Sequence, residues 1–198
     1  MSSEVQIARL ALQHIGDRYD ITSLDEATPE AEQVNLVYEN VRDMVLREHP
    51  WKFARKFSTP ASLVGTVPGN WSYMFLHPAD CLRVIRIVNP LGDDKPPVRF
   101  EMARNGADQH VILCDIEEPT IEYTMRLTEP GEYDPQFVTA LSYRIAQYIA
   151  MPITGDRQIM SDMKTLADNE VRAAQASDAN EGFEEPRPAQ ATWIDARA

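Results

Sequence analysis

The sequence predicts an α+β protein, with a helical bundle made from its N- and C-terminal helices, an inserted antiparallel β-sheet and an extended C-terminal tail. Three observations lead there. Apolar residues recur at helical spacing near both ends of the chain, the middle switches to short β-rich runs separated by turn residues, and the last eighteen residues have no period. This divides the chain into residues 1–50 and 130–180 as one discontinuous helical domain, 51–129 as linker and β insertion, and 181–198 as tail.

The first helix opens at Ser3, with Gln6 completing a capping box, and Val5, Ala8, Leu12 and Ile15 line one face before Gly16 stops it. Thr28-Pro29-Glu30 reads as N-cap, first-turn proline and first-turn acid of a second helix. Val34, Val37, Tyr38, Val41, Met44 and Val45 form its stripe, and Pro50 ends it at about His49. Five strand candidates follow: Tyr73 to Leu76, Leu82 to Val88, Val98 to Ala103, His110 to Asp115 and Thr120 to Leu127. Asn105-Gly106 suits a positive-φ turn closing an antiparallel hairpin. In the last run, Ile121, Tyr123, Met125 and Leu127 alternate with Thr120, Glu122, Thr124 and Arg126, which predicts one buried and one wet face. Asp134-Pro135 caps a third helix carrying Phe137, Leu141, Ile145, Tyr148 and Ile149, ending near Met151-Pro152. Asp156 caps a fourth whose stripe is Ile159, Met160, Met163, Leu166, Ala167, Val171 and Ala174, with both methionines read as core filler.

Composition narrows function. Of 198 residues, 31 are Asp or Glu and 19 are Lys or Arg, for a formal net charge of −12. That excess argues against gripping nucleic acid across a broad basic face. The first ten residues place Glu4 and Arg9 where a secretory signal would need an apolar core, and no run is long enough to span a bilayer, so neither export nor a membrane anchor is expected. Cys81 and Cys114 form no CxxC pair; reduced core thiols are favoured and a disulfide stays open. No phosphate loop, dinucleotide fingerprint, nucleophile elbow or HExxH is present, and His14, His49, His77 and His110 are dispersed, so no catalytic residue, metal ligand or cofactor is assigned. The pairs Asp93-Asp94 and Glu117-Glu118 lie beside prolines in turns, where neighbouring carboxyls diverge instead of facing each other across a substrate.

Two segments are candidate partner-docking elements. Trp51-Lys52-Phe53-Ala54-Arg55-Lys56-Phe57 interleaves three aromatics with three cations. It reads first as an irregular linker whose aromatics cap the helical core while its cations face water, and second as a docking strip using Trp51, Lys52, Arg55 and Lys56. Trp193-Ile194 is an apolar anchor on the unpatterned tail, suited to assembly contacts.

Several motifs occur together in a telling order. Ile7-Ala8-Arg9-Leu10-Ala11-Leu12 with Ile15-Gly16, Ser23-Leu24-Asp25-Glu26, and Tyr38-Glu39-Asn40-Val41-Arg42-Asp43-Met44-Val45-Leu46-Arg47-Glu48-His49-Pro50-Trp51 resemble the start of the tail tubular protein A family, the head-to-tail adaptors of short-tailed bacteriophages. Pro78-Ala79-Asp80-Cys81-Leu82-Arg83-Val84 is similar to the family's first sheet strand. Tyr133-Asp134-Pro135-Gln136-Phe137-Val138-Thr139-Ala140-Leu141, Arg144-Ile145-Ala146 and Met151-Pro152-Ile153-Thr154-Gly155 resemble its third-helix signature. The resemblance runs from about residue 5 to residue 180 and leaves the tail outside. It implies a structural virion protein, assembled in the host cytoplasm into a ring, usually a dodecamer, in the neck of the particle between the capsid portal and the tail nozzle. DNA would pass through the lumen without specific binding. It transfers no catalytic residue. Two other function classes stay open: a tail-associated polysaccharide hydrolase and a non-viral partner-binding module of the same architecture.

Overall fold

The computed structural model describes residues 3–18, 20–92 and 95–182. Among them are four α-helices and six strands in two small antiparallel sheets, an α+β arrangement.

Helix α1 (Glu4–His14) starts from the expected capping box: the Gln6 N–H donates to Ser3 Oγ at 3.2 Å and the Ser3 N–H to Gln6 Oε1 at 3.0 Å. Each bond satisfies an amide that the first helical turn leaves without an internal partner. Helix α2 (Pro29–Glu48) is capped by Thr28, and His49 turns extended ahead of Pro50, as the proline ring requires of its predecessor. Helix α3 (Pro135–Thr154) is capped by Asp134, whose carboxylate accepts from the Gln136 and Phe137 amides. It runs through Pro152, beyond the expected end. A proline so close to the C-terminus forfeits one backbone bond, and the helix stops instead at Gly155, in the left-handed region at φ +67°, whose N–H reaches Met151 O at 3.0 Å. Helix α4 (Arg157–Asn180) follows at once from its Asp156 cap.

Helix α3 packs against α1, α2 and α4, so its apolar surface is wide and burial extends from Phe137 to Ala150 around most of its girth. Helix α4 packs chiefly on α3 and buries only a narrow seam of Met163, Ala167, Val171 and Ala174. Met160 and Leu166 fall off that seam and stand exposed, as does Tyr148 of α3, contrary to the core roles the periodicity assigned them. All four helices feed one apolar core, which also takes in Trp51 and Ala54 from the chain that follows α2.

The middle of the chain forms two sheets where one was expected. Strand β1 (Arg55–Ser58), β6 (Ile121–Met125) and β3 (Cys81–Ile87) make the first, in the order β1-β6-β3. Strand β2 (Tyr73–Leu76), β5 (His110–Cys114) and β4 (Phe100–Arg104) make the second, in the order β2-β5-β4. The sheets share a small core containing Phe75, Ile112 and Cys114 from one and Cys81, Ile121 and Tyr123 from the other. The outer face of the second sheet is covered by Leu63, Val67 and Trp71 from the segment before β2.

The hairpin between β4 and β5 is present, but its positive φ belongs to Asp108 (φ +59°), not Gly106. Asn105 N–H closes on Gln109 O at 3.1 Å, leaving three loop residues, and a three-residue hairpin loop puts its left-handed position third. The wet face expected of β6 is not wet either. Glu122 and Thr124 are buried because β6 is the central strand and the flanking Arg55 and Arg86 side chains lie across its second face.

Candidate partner-docking site

The segment Trp51–Phe57 is a connection in which the indole of Trp51 and the cationic groups of Lys52, Arg55 and Lys56 each have an internal partner. Trp51 is buried, edge-on to Phe137 at 5.2 Å between ring centroids, and its indole N–H donates to Val45 O at 2.9 Å. Lys52 opens a 3₁₀ turn (Lys52–Ala54) and sits at the C-terminal end of α4, its ammonium donating to the Asp178 and Ala179 carbonyls. A cation there complements the negative end of the helix dipole. The buried Asp178 carboxylate accepts from the Lys52 backbone N–H at 2.8 Å and pairs with His49 Nε2 at 3.0 Å. Arg55 pairs with Glu122 at 3.3 Å, and Arg86 reaches the same carboxylate from the other side. Lys56 pairs with Asp80 at 2.7 Å, and Asp80 also accepts from the Tyr123 hydroxyl. That Lys56 hydrogen bond, first among its causes, holds the Asp80 carboxyl below its usual value. The linker reading is therefore right about Trp51 and Phe53, which join the helical core, and wrong about Phe57, about the backbone, which enters strand β1 at Arg55, and about the cations, which meet carboxylates or carbonyls. Phe57 is the ring of the segment that stays exposed. Trp193 and Ile194 lie outside the described residues, as do Asp93 and Asp94.

A second basic cluster assembles from residues far apart in sequence. Between the C-terminal end of α2 and the near ends of both sheets lies an open cleft of about 650 Å³, whose wall includes Arg47, His77, Arg83, Met102, His110 and Arg126 and no carboxylate-bearing residue. Arg126 is held by Asp43 at 2.7 Å. Arg47 donates to Leu82 O at 2.8 Å and Arg83 to Arg47 O at 3.4 Å; neither has a carboxylate partner among the described residues. The two histidines are brought to 6.1 Å between ring centroids by the β2–β5 pairing. Burial is the first cause holding the His77 imidazole below its ordinary value, and the His110 and Arg47 charges push the same way. Cys81, in the cleft floor, is buried with its thiol pushed up to about 11, chiefly by burial, which keeps it protonated and unreactive near neutrality. Cys114 is also a buried free thiol.

The strand periodicity already contains Arg83 and Arg86 as charges within an apolar run, which is the one local trace of this cleft in the sequence. His77, His110 and Arg126 join it only through strand pairing. Glu117 and Glu118 are exposed, as expected of their turn. Among the described residues no group of three or more His, Cys, Asp or Glu side chains is placed to hold a metal ion, and no helix is long and apolar enough to cross a membrane. No protein-family model and no curated protein matches the chain.

Chemically the cleft can receive an anionic group, since its wall offers guanidinium donors in a fixed fork geometry and an exposed methionine for apolar contact. The strip at residues 51–57 is also basic, but its cations are taken up by acceptors within the fold.

Proposed function

We propose that the chain is a structural virion adaptor, one subunit of a homo-oligomeric ring seated between a capsid portal and a tail nozzle, with DNA passing through its lumen. The observation that carries this reading is the ordered series of motifs between residues 5 and 180 that resembles the tail tubular protein A family. Consistent with it, residues 1–50 and 130–180 would act as one four-helix bundle that packs side by side with its neighbours, while residues 51–129 project loops toward an adjoining ring. The tail, 181–198, with its Trp193-Ile194 anchor, would lie on the portal or a neighbouring subunit. A net charge of −12 per copy suits a conduit, since each phosphate contact in the lumen would slow DNA movement. The protein would perform no catalysis and need no cofactor, its work being binding in series.

Native mass measurement of the purified full-length chain, alone and with portal rings, tests this. The reading predicts a closed ring whose stoichiometry matches the portal. A chain that stays monomeric and never joins portal rings rejects it. Removing residues 181–198 should weaken assembly while leaving the thermal unfolding transition in place; loss of that transition would assign the tail to the folded core instead.

A further inference from the structure

The strands that bring cations to the cleft carry carboxylates to their other end. Strand β5 begins at the cleft with His110 and ends at Cys114, after which come Asp115, Glu117 and Glu118; β6 then returns from Ile121 to Arg126, back at the cleft. Strands of five residues at about 3.3 Å per residue separate the two ends by about 17 Å. The register supports this polarity in both sheets, because Cys81 pairs with Met125 and Arg104 with His110 at the cleft end, whereas Ile87 pairs with Ile121 and Phe100 with Cys114 at the far end. Asp115 is engaged by Ser72 and lies 4.0 Å from Arg99. Glu117 and Glu118 are exposed and have no ion-pair partner among the described residues, mirroring Arg47 and Arg83.

We propose that the Arg47–Arg83 cleft receives the Glu117-Glu118 turn of a second copy of the chain, making a head-to-tail contact. This deepens the ring reading and rests on it. Charge complementarity within one molecule carries this: a chain with a −12 excess keeps one cleft wall free of carboxylates, and places two exposed glutamates at the opposite end of the same strands. A contact between two different surface patches is heterologous, and heterologous contacts propagate into rings when the rotation closes. A self-paired, two-fold dimer through the cleft would instead oppose arginine to arginine. The wall also offers Met102, 43 % exposed, against which the stems of incoming glutamates can pack. Since the arginines stand at an exposed rim, the contact should weaken with salt.

Charge reversal on the full-length chain tests the docking. Arg47→Glu/Arg83→Glu alone, and Glu117→Arg/Glu118→Arg alone, should each weaken self-association at least tenfold in sedimentation velocity, without moving the thermal midpoint. Mixing the two variants should restore assembly, because each reversed patch then meets its complement and the wild-type patches pair as before. If both variants assemble like wild type, or the mixture fails to assemble, the docking is wrong, while a closed wild-type ring would leave the ring reading intact. Conversely, open chains or dimers that respond to the reversals and are rescued by mixing support the docking and reject the closed ring. A wild-type chain that is monomeric at every concentration and salt rejects both. Should the arginine variant fail to fold, the turn variant alone still decides: unchanged assembly overturns the proposal.

Discussion

Two basic regions of similar composition have opposite fates. In the strip, Lys52, Arg55 and Lys56 each meet an internal acceptor, and Trp51 is sealed in the helical core. In the cleft, Arg47 and Arg83 are exposed and, among the described residues, meet only backbone carbonyls. The strip's cations are taken up by Glu122, Asp80 and the carbonyls that end α4, whereas no carboxylate lines the cleft. The buried Glu122 carboxylate draws Arg55 and Arg86 into the fold, because leaving it unpaired there would carry a large desolvation cost.

The comparison can be broken most forcefully at Trp51. Trp51→Ala should destabilise the chain by about 3–5 kcal/mol, the range for deleting a fully buried aromatic, read from the urea unfolding midpoint. A change under about 1 kcal/mol would return the strip to the surface. Glu122→Ala should cost about 3 kcal/mol, the lower end for breaking a buried ion pair, since Arg55 and Arg86 keep part of their surface in water. Lys52→Ala removes the cation from the end of α4 and should cost about 1 kcal/mol. Arg83, exposed and, among the described residues, bonded only through a 3.4 Å contact to Arg47 O, sits at the other extreme, with charge reversal there moving stability by less than about 0.5 kcal/mol.

Acid separates the regions differently. The folded His77 imidazole, and that of His14 buried against Ser142, bind protons less readily than in the unfolded chain. The native state therefore binds fewer protons, so their contribution is complete above the ordinary value of about 6.5 and is lost as pH falls below it. The strip's Asp80 carboxyl is likewise depressed, so its contribution is present above an ordinary value of 3.8 and is lost below that. Thermal midpoints between pH 8 and pH 3 should fall in two steps, with His77→Gln reducing the first and Asp80→Asn the second.

How much of this was legible in the sequence follows from the range of the interactions. Caps at Ser3, Thr28, Asp134 and Asp156 involve neighbours two or three residues away, and all four are where the sequence places them. Strand β1 was not visible, because four residues carry too little pattern and its pairing with β6 is about 65 residues distant. The burial of Glu122 depends on arginines from two other strands, which alternation along β6 cannot reveal. The cleft is the extreme case: its arginines and histidines come from α2, β3, β5 and the ends of two strands, so only the folded register gathers them. The strip, contiguous and rich in aromatics, advertised itself as a site and serves mainly as a clamp.

The proposed partner binding falls to Arg47 and Arg83 of the cleft and not to the strip, where Arg55 and Lys56 meet carboxylates and Lys52 the carbonyls that end α4. Its most direct test is a paired measurement of unfolding midpoint and sedimentation coefficient on the same samples of Arg55→Ala and Arg83→Ala. The account predicts that Arg55→Ala lowers the midpoint and leaves assembly intact, whereas Arg83→Ala leaves the midpoint unchanged and weakens assembly. The reverse pattern, with assembly lost at Arg55 and stability lost at Arg83, would contradict it.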